Sequence, residues 1–266
     1  MTKPAIGIFD SGVGGLTVAA QIMAAQPCRP IVYFGDCLRM PYGDRSPEEL
    51  AGFAHEIITF LMGHDAQAII AACGTISSKI FDKVQDMVPA GVPVYGMVQP
   101  AVAATIAATR TGRIGIIATE GSVKAKGFED AIKKERPDAH VVAIACPLFA
   151  PLAEEGWHNH PVTDLAAATY LKPLLGEGVD TLLLGCTHYP LLSSSIKKAL
   201  PEGVAIVDPA RYLAKQLGGQ LGDGSLREPS PGTGNHKFFV SGKKEKFDKM
   251  AKMVLGMDVD AVIAKL

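Results

Sequence analysis

Ala66-Gln67-Ala68-Ile69-Ile70-Ala71-Ala72-Cys73-Gly74-Thr75 reads as a buried strand that stops on a cysteine. Its apolar run is nearly unbroken, as in a parallel strand covered on both faces. A second stretch, Val179-Asp180-Thr181-Leu182-Leu183-Leu184-Gly185-Cys186-Thr187-His188, has the same form, with its cysteine 113 positions beyond the first. Ile6-Gly7-Ile8-Phe9 likewise returns as Ile114-Gly115-Ile116-Ile117, 108 positions later. Short apolar runs look alike by chance, but two likenesses in the same order at similar offsets favour an internal duplication.

Around these stretches, strand and helix signals alternate. Further strand-length runs stand at 5–9, 31–34, 92–95, 114–118, 141–145, 181–184 and 204–207, with a strand expected over 68–72 and a short one at 237–241. The clearest helix is expected from Ser46 to about Met62. Ser46 is a good N-cap, Pro47 suits the first helical position and Glu49 completes a capping box. Gly218 to His236 reads as a surface loop, followed by a terminal helix carrying Phe247, Met250, Ala251, Val254 and Leu255. The pattern predicts an α/β fold: two pseudo-symmetric α/β domains with mainly parallel sheets and the active site between them, at the C-terminal ends of the strands.

Composition narrows the function. The 266 residues are 48% hydrophobic and 20% charged, with a net charge of -1. That supports an ordinary core and gives no electrostatic footprint for nucleic acid or a membrane surface. No apolar run has membrane-spanning length, and the N-terminal sequence lacks signal-peptide character, so a soluble cytoplasmic protein is expected. The five cysteines, Cys28, Cys37, Cys73, Cys146 and Cys186, are scattered without a C-x-x-C pair. They read as reduced thiols rather than a disulfide framework or a zinc site.

Cys73 and Cys186 carry the chemical argument. A cysteine where a strand meets a helix N-terminus is expected to have a lowered thiol pKa, at the place where α/β proteins bind ligands. Either one alone reads as a buried inert thiol. A matched pair, followed by Thr75 and by Thr187 and His188, reads as functional. Two opposed thiols suit inversion of a carbon stereocentre: one takes a proton from one face, and the other delivers a proton to the opposite face.

Other motifs are weaker. Asp10-Ser11-Gly12-Val13-Gly14-Gly15 is neither a dinucleotide fingerprint nor a P-loop, and by itself is an ordinary capped turn. Asp10 is a candidate to bind a substrate ammonium or to assist Cys73. Pro41-Tyr42-Gly43 is a turn that can offer backbone N–H groups and Ser46 to a carboxylate, and the turn at Thr119 resembles another anion-binding turn. Of Glu154 and Glu155, one is a candidate to reach the site. His158-Asn159-His160 lacks the further ligands of a metal centre.

Taken together, Asp10-Ser11-Gly12-Val13-Gly14-Gly15, Pro41-Tyr42-Gly43, Ala72-Cys73-Gly74-Thr75 and Gly185-Cys186-Thr187-His188-Tyr189-Pro190 resemble the glutamate racemases of the aspartate/glutamate racemase superfamily. Cys146-Pro147-Leu148-Phe149 and Val207-Asp208-Pro209 are also similar to that family. The resemblance implies interconversion of L- and D-glutamate for peptidoglycan synthesis, with no cofactor and no metal, in a homodimer. It implies a first domain of residues 1–97 plus 210–266 and a second of 98–209. It casts Cys73 and Cys186 as the acid/base pair, Asp10 as the helper of Cys73, and His188 and Glu154 as helpers of Cys186. It places Asp10, Ser11, Pro41, Tyr42, Gly43, Gly74, Thr75, Thr119, Thr187 and His188 around the substrate. Gly74 departs from the pattern, because the family normally has Asn there. That departure keeps aspartate or another acidic amino acid open as substrate, as well as a catalytically weak ligand-binding protein on the same fold.

Overall fold

A computed structural model describes residues 5–220 and 235–266. Most of the expected loop at 218–236 lies outside those residues. Two sheets organise the chain. The first contains β1 (Ala5–Asp10), β2 (Ile31–Gly35), β3 (Ala66–Ala71) and β4 (Val94–Tyr95). The second contains β5 (Arg113–Ala118), β6 (His140–Ala145), β7 (Thr181–Leu184) and β8 (Ala205–Val207). The chain then returns to the first sheet with β9 (Lys237–Val240) and β10 (Val262–Ile263). The spatial orders are β10-β9-β2-β1-β3-β4 and β6-β5-β7-β8.

Every strand pair in both sheets is parallel. Four strands of the first sheet, β2-β1-β3-β4, follow the same order as all four of the second. This is the topology expected of a duplicated unit, extended in the first sheet by the C-terminal strands. β1 is buried along its whole length, and β5 is buried in all but its first residue. Such strands need cover on both faces. Each sheet has it: one apolar cluster forms around Leu16, Tyr33 and Phe247, and another around Phe34, Leu50 and Ile57. The second sheet is covered by clusters around Phe149 and Leu182 and around Ile116 and Phe128.

The helix Pro47–Met62 shows how local chemistry fixes these elements. Ser46 accepts from the Glu49 N–H, and the Glu49 carboxylate accepts from the Ser46 N–H. Leu50, Ala54, Ile57, Ile58 and Leu61 then face the sheet. Ser46 is therefore engaged as a cap. Among the described residues, no helix is long and apolar enough to cross a membrane.

Candidate active site

Sheet register brings the site together. The Ala72 N–H donates to the Phe9 carbonyl at 2.9 Å, which carries the β1–β3 pairing past the strand and sets Cys73 beside the turn that starts at Asp10. In the second sheet the Gly185 N–H donates to the Ile117 carbonyl at 2.7 Å, setting Cys186 beside Ala118 and Thr119. Both cysteines thus occupy the same position in equivalent units.

Cys73 is 5% exposed, and its Sγ lies 3.8 Å from the Ser11 hydroxyl. Burial, reinforced by the negative charge of Asp10, pushes this thiol up to about 12. The lowered thiol pKa expected from its helix N-terminus is therefore not found at Cys73. The helix Gly74–Lys79 spans six residues, and its effect is outweighed by burial and a neighbouring carboxylate. A negative charge on Cys186 would raise the Cys73 thiol further.

Asp10 is fully buried. Its Oδ2 accepts the Gly12 N–H at 3.0 Å, while Oδ1 has no hydrogen-bond partner among the described residues. Burial raises its pKa, opposed by His188 and the backbone N–H groups of its own turn.

Cys186 is half-buried and has a different set of neighbours. His188 Nδ1 lies 3.6 Å from its Sγ. On the far side of the ring, Nε2 lies 3.3 Å from Glu154 Oε1, a good ion-pair distance with an angle too poor for a hydrogen bond. Burial pulls the His188 pKa down, but contact with Cys186 and Glu154 and the charge of Asp10 outweigh it and raise it to about 10. His188 is thus an imidazolium at neutral pH. Burial raises the Glu154 pKa, but His188 and Lys246 reverse this and leave it lowered. Glu154, at the end of the helix Phe149–Glu154, is the glutamate that reaches the site. The Glu155 side chain is 66% exposed and pairs with Lys246.

The remaining candidates divide. The Thr75 and Thr119 hydroxyls are 3.3 Å apart, joining the turn after Cys73 to the second sheet. Thr17 donates to the Thr187 carbonyl at 2.9 Å. A Cβ on Gly14 would lie 2.3 Å from the Thr187 hydroxyl and 2.6 Å from the His188 ring, so the glycine-rich turn rests directly on the second cysteine's loop. Gly43 approaches Thr119 and is held by Lys79, whose Nζ donates to the Gly43 carbonyl at 2.8 Å. Pro41 is exposed. The buried Tyr42 gives its hydroxyl to Asp36 at 2.5 Å, which leaves its backbone as the part able to meet a ligand. His160 caps the helix Pro161–Leu175, and His158 contacts the Ala153 carbonyl at 3.1 Å. No metal-binding group of His, Cys, Asp and Glu exists among the described residues.

Sequence reasoning missed Lys246. Its Nζ lies 3.0 Å from Glu154 Oε2 and 3.3 Å from Glu155 Oε1. No spacing rule links residues 92 positions apart, and Lys246 sits in a lysine-rich helix that reads as an ordinary solvated face.

The chain is similar to known proteins over nearly its whole length. The family model described as Asp/Glu/Hydantoin racemase matches residues 15–217. A glutamate racemase of Geobacter metallireducens is 44% identical over 96% of this chain and 94% of its own length. One from Neisseria gonorrhoeae is 39% identical over 97% and 94%. The crystal structure of glutamate racemase isoform RacE1 from Bacillus anthracis superposes with a TM-score of 0.92 at 36% identity, covering 99% of this chain and 98% of that one. Glutamate racemase from Francisella tularensis, solved with D-glutamate, gives 0.89 at 32% identity, covering 97% and 96%. The chain belongs to the Asp/Glu/Hydantoin racemase family.

Proposed function

We propose that this chain is a cofactor-independent glutamate racemase in which Cys73 and Cys186 exchange the α-proton. The supporting observation is the equivalence of the two cysteines. Each follows the equivalent strand of its sheet, β3 or β7, and each has its own set of polar neighbours. In one direction a thiolate removes the α-proton, the electron pair stays on carbon, and the opposite thiol protonates the other face. The reverse direction exchanges their roles. Burial and Asp10 keep Cys73 a thiol at neutral pH, ready to donate, while His188 is placed to hold or return a proton at Cys186 Sγ. Asp10, with a buried oxygen that has no partner among the described residues, suits a substrate ammonium.

In this reading, residues 1–97 with 210–266 form one domain and 98–209 the other, with the substrate between them. The protein acts as a cytoplasmic homodimer that supplies D-glutamate for peptidoglycan. Relatives named as glutamate racemases, including one solved with D-glutamate, support the choice of substrate.

The test is circular dichroism of L- and D-glutamate incubated separately with the purified chain and no added cofactor. Both signals are expected to decay to zero. If both persist while aspartate racemises, the substrate assignment is wrong and the acidic-amino-acid alternative replaces it. Binding of glutamate without turnover of any acidic amino acid would replace the enzyme reading with a ligand-binding one.

A further inference from the structure

Glu154 is 11% exposed and has two cationic neighbours, His188 on Oε1 and Lys246 on Oε2. A nearly buried carboxylate keeps its charge and its rotamer only if partners hold it. Lys246 comes from the helix Lys244–Leu255, whose Phe247, Met250 and Ala251 are buried and anchor it to the core of the first sheet. Glu154 belongs to a helix packed on the second sheet. The lysine therefore reaches across to steady a carboxylate that in turn steadies the imidazolium beside Cys186.

We propose that Lys246 is a positioning residue for the chemistry at Cys186, holding Glu154 so that His188 stays set against Sγ. This rests on the racemase reading above. The other charged groups at this point are Glu155, Glu245 and Lys249, which line the same surface depression. Cys186 and Asp10 face His188, and Cys37 feels the Glu154 charge.

The sign of the effect follows from charge. Removing a cation favours the protonated form of every group nearby, so both limbs of the pH profile move to higher pH. Lys246→Met is expected to shift the limbs of kcat/KM upward by about half a pH unit, the size of one partly screened charge acting through Glu154 and His188. It should lower kcat/KM about tenfold for both enantiomers through misplacement of His188. Independently of turnover, peptide-resolved alkylation of Cys186 by iodoacetamide at neutral pH should slow about threefold, because a displaced His188 no longer sits 3.6 Å from Sγ to favour the reactive thiolate. Lys246→Arg should restore all three.

Lower activity with unmoved pH limbs and unchanged alkylation overturns the proposal and leaves Lys246 a structural tie. Slowed alkylation in a protein that racemises neither enantiomer supports the coupling of Lys246 to Cys186, and it overturns the racemase reading instead.

Discussion

Gly74 faces the Gly185 carbonyl so closely that a Cβ at residue 74 would lie 2.3 Å from that oxygen. The turns that carry the two cysteines therefore meet backbone to backbone, one residue from each thiol. The family's usual Asn cannot be added to this arrangement without moving one turn away from the other. The departure at Gly74 is a change in how the halves meet.

Gly74→Ala tests this, because two effects oppose each other. Gly74 begins a helix, where alanine normally stabilises by about 0.5–1 kcal/mol. Forcing a methyl group against a backbone oxygen costs about 1–3 kcal/mol. The steric effect is larger, so the melting temperature should fall and kcat/KM should drop as the cysteines separate. A rise in melting temperature with unchanged kinetics would show that the turns part freely.

Cys73→Ala and Cys186→Ala should each abolish racemisation of both enantiomers, because either direction needs an acid and a base. Each single variant should still bind glutamate, measurable by calorimetry. Turnover retained by either one would remove the two-thiol mechanism.

Stability should decline with alkaline pH, with His188 as the main source near neutrality. Its imidazole loses its proton near 6.5 when unfolded and near 10 when folded. Between those values the folded state holds a proton that the unfolded state has released, so stability is full below about 6.5 and is lost as pH rises toward 10. Cys73, raised from 9.0 to about 12, extends the loss above pH 9. Denaturant midpoints measured across this range should fall, and His188→Asn should flatten the slope between 6.5 and 10. An equally steep slope in that variant would assign the loss to other groups.

The sequence carries the fold further than it carries the site. Strands at β1, β5 and β7 are legible because their apolar runs match their burial, and the capping box at Ser46 and Glu49 marks a helix start within one residue. The cysteines are legible because strand ends are ligand sites in this architecture. β10 is missed because two exposed residues, Val262 and Ile263, give no pattern. The raised thiol at Cys73 is missed because helix position is visible in a sequence and burial beside Asp10 is not. Lys246 is missed for a related reason, since its role exists only after the C-terminal helix has folded back onto the first sheet.

Tyr42 separates a residue near the substrate from one that supports the loop. Its hydroxyl donates to Asp36 Oδ2, which also pairs with Arg39 at 2.6 Å, and the Asp36 carboxylate is fully buried. Tyr42→Phe deletes the donor and leaves that oxygen with Arg39 alone, which should cost about 1–3 kcal/mol of stability. The ring stays packed against Phe53, so the backbone at Pro41–Gly43 keeps its course. Thermal melting should show the loss, while KM for glutamate stays within about twofold, less than one lost hydrogen bond would give. A large rise in KM without a fall in melting temperature would mean that the hydroxyl leaves Asp36 to meet the substrate.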